Sequence, residues 1–135
     1  MNKFEVQTKL LDQIYRLANA NDDIEVLWLY GSRAKDSFHD SSDYDLAVAF
    51  KDFTLSVSDR YLRPNLLAME WACELGVEES MLSIIDINTS PVYLTFNVIE
   101  YGKVVYQEPT MRRVIEHNRI YSQYEFQMIE NRQNA

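Results

Sequence analysis

Apolar residues occur at helical intervals over the first twenty positions, at Phe4, Leu10, Leu11, Ile14, Leu17 and Ala18, and give way to the polar run Asn19-Ala20-Asn21-Asp22-Asp23. This spacing predicts a helix over residues 4–19 with one buried stripe. The period then changes. Ile24-Glu25-Val26-Leu27-Trp28-Leu29-Tyr30 and Tyr44-Asp45-Leu46-Ala47-Val48-Ala49-Phe50 are short runs rich in β-branched, aromatic and aliphatic residues, and both predict strands. A second helix is predicted from about Asp59 to Leu75, with Leu62, Leu66, Met69, Ala72 and Cys73 on one stripe and Gly76 as its stop. Pro64 fits only near a first turn, so the start of that helix is expected nearer Arg63. Residues 80–88, Ser-Met-Leu-Ser-Ile-Ile-Asp-Ile-Asn, predict a strand buried on both faces, with Asp86 as an isolated charge. Ser90 and Pro91 read as N-cap and first residue of a helix to about Tyr101, ended by Gly102. A short strand over Lys103-Val104-Val105-Tyr106 and a last helix from about Thr110 to Asn131 complete the chain. This alternation predicts an α/β (α+β) fold: a mixed sheet of about four strands with helices packed on it, in one domain spanning 1–135.

Composition agrees with that size. At 135 residues, with 47% apolar and 13% aromatic positions, the chain buries one core and not two. A net charge of −8 opposes general nucleic-acid binding, because affinity for a phosphate backbone needs a basic surface. An acidic chain that binds an anionic nucleotide needs local compensation, for which Arg33, Lys35 and a metal ion are the candidates. The lone Cys73 excludes an intrachain disulfide and fits a reducing cytoplasm. No apolar run has membrane-spanning length and the N-terminus does not read as a signal peptide, so a soluble cytoplasmic protein is expected.

The chemistry is concentrated between the first two strands. Gly31-Ser32 is followed, after ten residues, by Asp43-Tyr44-Asp45 at the start of the second strand. Gly31 has no Cβ and lets the backbone turn sharply against a ligand, while Ser32 offers a hydroxyl and an amide where a helix can begin. Asp43 and Asp45, two apart on a strand, place both carboxylates on one face, where they repel unless a cation lies between them. Hard oxygen ligands favour Mg²⁺ or Mn²⁺, and in two-metal sites ions roughly 3.5–4 Å apart stabilise both the attacking and the leaving oxygen of an in-line displacement at phosphorus. The bland alternative is a polar hairpin loop whose aspartates only turn the chain. In the same loop, His39 reads as solvent-exposed and Asp36 and Asp40 as turn-forming.

Gly31-Ser32, the ten-residue spacer and Asp43-Tyr44-Asp45, with Arg33 and Ser42, resemble the signature of the DNA polymerase β-like nucleotidyltransferase superfamily. The short chain is similar within it to the minimal nucleotidyltransferases, MntA-type antitoxins paired with HEPN-domain toxins. The resemblance implies a polymerase β-like fold and a metal-dependent nucleotidyltransferase. The implied reaction transfers AMP from ATP to a tyrosine hydroxyl of a cognate HEPN-family RNase toxin, which is thereby silenced. It further implies that Asp43 and Asp45 hold Mg²⁺, and that Gly31, Ser32 and Arg33 bind the nucleotide, with Arg33 neutralising triphosphate charge. A third carboxylate is implied from the later strand, where Asp86 is the candidate for catalysis and metal binding. Relatives often carry two acids three apart in that strand, however, and Ser83 stands at the first position here. Side chains three apart on a strand face opposite ways, so Ser83 and Asp86 cannot both face the site.

The last helix mixes Arg112, Arg113, Arg119 and Arg132 with Tyr121, Tyr124 and Phe126. It reads either as a partner-binding element or as a helix packing one face on the sheet with its arginines snorkelling outward. The toxin's own Arg, spacer, His-x-Tyr pattern fails at Arg112–His117, because Arg119 stands two after His117; this chain is not the toxin. Two other readings remain. One is a small-molecule transferase similar to kanamycin nucleotidyltransferase, for which the chain is short; the other is a non-catalytic antitoxin that masks its partner.

Overall fold

The computed structural model describes residues 1–134. The chain alternates α1 (Lys3–Asn19), β1 (Ile24–Tyr30), a 3-10 turn over Gly31–Ala34, β2 (Tyr44–Phe50), α2 (Val57–Leu75), β3 (Leu82–Asp86), α3 (Val92–Tyr101), β4 (Lys103–Gln107) and α4 (Arg112–Gln133). The strands form one mixed sheet in the order β3-β2-β1-β4. β1 runs antiparallel to both β2 and β4, while β3 runs parallel to β2 and is reached through α2, the crossover that a parallel pair requires. No helix among the described residues is long and apolar enough to cross a membrane.

Alternation along the central strands sorts the core into two layers. Leu27, Leu29, Leu46, Val48 and Phe50 face α1 and α2, where Ile14, Ala18, Leu67, Trp71 and Ala72 are buried against them. Val26, Trp28, Tyr30, Ala47 and Ala49 face the other way, toward Val98 of α3 and Ile120 of α4. A fully buried aliphatic or aromatic side chain in either layer contributes roughly 1.5–3 kcal/mol.

Several local expectations change. α2 starts at Val57, not near Arg63: Ser56 caps it by accepting from the Asp59 amide at 3.1 Å, and Pro64 lies inside the helix on its buried face. The buried stripe of α2 is Pro64, Leu67, Trp71 and Ala72; Leu62, Leu66, Met69 and Cys73 point to solvent. Two apolar stripes run along this helix, and the one carrying Leu67, Trp71 and Ala72 is the one packed on the sheet. β3 is shorter than expected, Glu79–Met81 forming a 3-10 turn before it, and as an edge strand it leaves Ser83 exposed between buried Leu82 and Ile84. At α3 the cap position falls to Pro91, without a side-chain hydrogen bond, and Ser90 instead donates its amide to the Asp86 carbonyl at 3.2 Å.

α4 does not display all of its arginines outward. Arg112 is buried and donates to Glu25 (2.9 Å), the Phe50 carbonyl (2.9 Å), Glu116 (2.9 Å) and Asn88 (2.8 Å). Asn88 in turn donates to Glu116, and Arg119 reaches both Glu116 (2.7 Å) and the Ile87 carbonyl (3.1 Å). Burial raises the Glu116 pKa, but the hydrogen bonds from Asn88, Arg119 and Arg112 outweigh it and hold the carboxyl below the usual range. This network ties α4 to the sheet end remote from Asp43.

Candidate active site

β1 ends at Tyr30 and the chain turns at once. Gly31 has φ +71°, in the left-handed region that favours glycine, and a Cβ there would lie 2.3 Å from Oδ2 of Asp45. The sequence thus needs glycine twice over, for the turn and for the approach of the carboxylate. Ser32 follows in the 3-10 turn with its side chain exposed and without a protein partner.

Tyr30 pairs with Asp45 across the antiparallel ladder, so the tyrosine and both aspartates share one face. Asp45 is pushed up to about 6, first by burial, then by the Asp43 charge and by a hydrogen bond between the two side chains. Tyr30 is pushed up to about 12 by burial, Asp45 and Asp43, in that order, which keeps its hydroxyl a proton donor. Two carboxylates close enough to share a proton are a donor set suited to a hard divalent cation, since the ion removes the repulsion that raises the Asp45 pKa. Gly31, Ser32, Asp43 and Asp45 are therefore brought together.

Arg33 and Asp86 are not. The Arg33 guanidinium is buried, donating from Nε to the Ser42 carbonyl (2.9 Å), from Nη2 to the Asp40 carbonyl (3.0 Å) and from Nη1 to Gln7 (3.3 Å). It also lies against the rings of Phe38 and Tyr44, 4.8 and 4.3 Å from their centroids. Tyr44 points to the sheet face opposite Asp43 and Asp45, so Arg33 fastens the loop from behind instead of reaching toward the two aspartates. Lys3 assists by donating to the Asp36 and Phe38 carbonyls, both at 2.9 Å.

Asp86 pairs with Val48 in the β2–β3 ladder and faces α2, across the sheet from Asp45. It is 2% exposed, accepts the Asn88 amide at 2.8 Å and meets Arg63 at 3.4 Å. Arg63 is further shared with Asp23 and the Asp52 carbonyl and stacks on Phe50. Asp86 is thus a structural ion-pair residue, and its expected catalytic and metal-binding roles are withdrawn. Ser83 is the β3 residue paired with Asp45, on the same face and exposed.

His39 is exposed, as are Asp36 and Asp40, with the His39 amide donating to Ser42 Oγ in a turn. A cleft of about 520 Å³ between α1, the back of the loop and β4 is lined by Phe4, Gln7, Tyr15, Arg33, Phe38 and Lys103, and includes neither Asp43 nor Asp45. Sequence reasoning missed Tyr30, Gln7, Lys3 and Phe38 as parts of the site. Phe38, a lone aromatic in a polar loop, was the available signal.

Three solved structures share the fold. A toxin–antitoxin MntA–HpeT mutant matches with TM-score 0.71 and 21% identity, covering 91% of this chain and 93% of that one. A toxin–antitoxin with AMP-PNP matches with TM-score 0.69 and 21% identity, covering 93% and 92%. An MNT antitoxin structure with a tri-AMPylated Shewanella oneidensis HEPN toxin matches with TM-score 0.68 and 20% identity, covering 94% and 93%. No curated protein matches the sequence. The family model for polymerase beta nucleotidyltransferases matches residues 12–110, from within α1 through β4 and so across both motif aspartates. With residues 12–110, most of its length, matched by that family model, the chain belongs to the polymerase beta nucleotidyltransferase family.

Proposed function

We propose that this protein is an antitoxin nucleotidyltransferase that transfers AMP from ATP to a tyrosine hydroxyl of a cognate HEPN-family toxin. The observation that carries the reading is the pairing of the half-buried Asp43 and Asp45 on one side of the sheet beside the glycine turn at 31, within a fold shared with MNT antitoxins of toxin–antitoxin pairs. Asp43 and Asp45 would hold Mg²⁺, which when bound neutralises phosphate charge and polarises the reacting phosphoryl group. The turn at Gly31 lets the backbone approach the triphosphate, and Ser32 offers its hydroxyl and amide to the β and γ phosphates. Arg33, Lys3 and Gln7 keep that loop in place from behind, so the binding groups need little reordering when nucleotide arrives. The acceptor oxygen attacks the α-phosphorus and pyrophosphate leaves. Among the described residues no third His, Cys, Asp or Glu joins the two aspartates in a metal-holding group, so Asp43 and Asp45 alone would hold the ion, and the acceptor's proton leaves to water.

The cheapest test uses two differently labelled nucleotides. Purified protein and a HEPN-family protein from the same source are incubated with Mg²⁺ and either α-³²P-ATP or γ-³²P-ATP. Label from the α position is expected on the HEPN protein, and none from the γ position. Label from the γ position would make the protein a kinase and sink the proposal, as would no label from either.

A further inference from the structure

Ser83 is an exposed hydroxyl paired with Asp45, at a position where a carboxylate would complete a three-acid cation site. In a parallel ladder, paired residues project to the same face from strands roughly 4.8 Å apart. Ser83 therefore lies beside Asp45 as directly as Tyr30 does on the other side. Its flanking residues Leu82 and Ile84 are buried against the opposite layer, and Asp86 is held there by Arg63. The nearest acid of β3 cannot reach the site without breaking that pair.

Charge counting gives the consequence. Asp43 and Asp45 together carry two negative charges, which one divalent ion neutralises. A second ion about 3.5–4 Å away would meet a neutralised pair and a neutral hydroxyl, and cation affinity in oxygen sites falls as charged ligands are replaced by neutral ones. We propose that Ser83 limits this chain to one protein-held divalent ion, so that any second ion enters only with the oxygens of the bound triphosphate. Ser83 is then a specificity-determining residue for cation binding and not itself a ligand. The inference rests on the metal-binding reading of Asp43 and Asp45.

The test is a Mn²⁺ titration of the nucleotide-free full chain, following free Mn²⁺ by electron paramagnetic resonance. The wild type is expected to bind a single ion, Ser83→Ala to match it within about twofold, and Ser83→Asp to bind about tenfold tighter or more. Ser83→Asp adds a like charge beside Asp45, so its melting temperature is also followed. It is expected to fall in EDTA and to rise with Mn²⁺ by more than the wild type does. Two ions of similar affinity in the wild type would overturn the proposal without requiring any variant to fold. Unchanged affinity in folded Ser83→Asp, or loss of binding in Ser83→Ala, would overturn it too. An Asp43→Asn/Asp45→Asn double variant that binds Mn²⁺ like the wild type would instead refute the underlying metal site, which separates the two failures.

Discussion

Gly31 has the least freedom of any residue at the site. Alanine there would have to hold a left-handed backbone and keep its Cβ off Asp45, 2.3 Å away in the present geometry. Gly31→Ala is expected to lower stability by about 1–2 kcal/mol, read from a urea midpoint, and to abolish transfer. Arg33 and Asp86 separate support from chemistry in the same way. Arg33→Lys gives up planar donation to the Asp40 and Ser42 carbonyls and the stacking on Phe38 and Tyr44, for an expected loss of about 1–2 kcal/mol. A variant of unchanged stability that lost nucleotide affinity would return Arg33 to the phosphates. Asp86→Asn is expected to cost about 1–3 kcal/mol through its buried contacts with Arg63 and the Asn88 amide, while leaving Mn²⁺ affinity as it was. Altered ion affinity in that variant would contradict its assignment to the far face.

At the scale of elements, strand parity decides what the sequence could show. Gly31, Ser32, Asp43 and Asp45 were legible because all lie within one local unit, a strand, a turn and a strand start, where spacing and residue type carry the geometry. The choice between Ser83 and Asp86 was not, because it depends on the register of β3 against β2, and nothing local to β3 says which of its faces meets the aspartates. The same limit applies to α2. Its apolar residues make two stripes, and periodicity alone does not say which stripe finds the sheet; packing of Trp71 and Leu67 resolves it. Leu67→Ala is therefore expected to cost about 2–4 kcal/mol, whereas Leu66→Asp, on the exposed stripe, should stay within about 0.5 kcal/mol. Equal losses at the two positions, measured by chemical denaturation, would contradict the observed orientation. The arginines of α4 misled for a related reason. A helical charge pattern does not reveal that Glu25, Asn88 and Glu116 wait at the sheet end to receive Arg112.

For the whole molecule, two carboxyl groups shift in opposite senses and give the stability profile its shape. The folded Asp45 pKa is raised, so its contribution to stability is fully present below the unfolded value of about 4 and is lost as pH rises through about 6. Glu116 is shifted down, so its contribution is present above about 4.3 and is lost as pH falls further. In EDTA, Asp45→Asn is expected to remove the loss of stability between pH 4 and 6, and saturating Mg²⁺ should do the same to the wild type by replacing the shared proton. Thermal melts across that window check both; a limb that survives in Asp45→Asn would place its cause elsewhere.

Asp43 and Asp45, as the catalytic metal ligands of a transfer reaction, carry the proposed function. Its most direct test is to compare the wild type with Asp43→Asn/Asp45→Asn for transfer of label from α-³²P-ATP to a co-expressed HEPN partner, with folding of both confirmed by circular dichroism. Loss of at least about a hundredfold in labelling is expected from the double variant; undiminished labelling would contradict it.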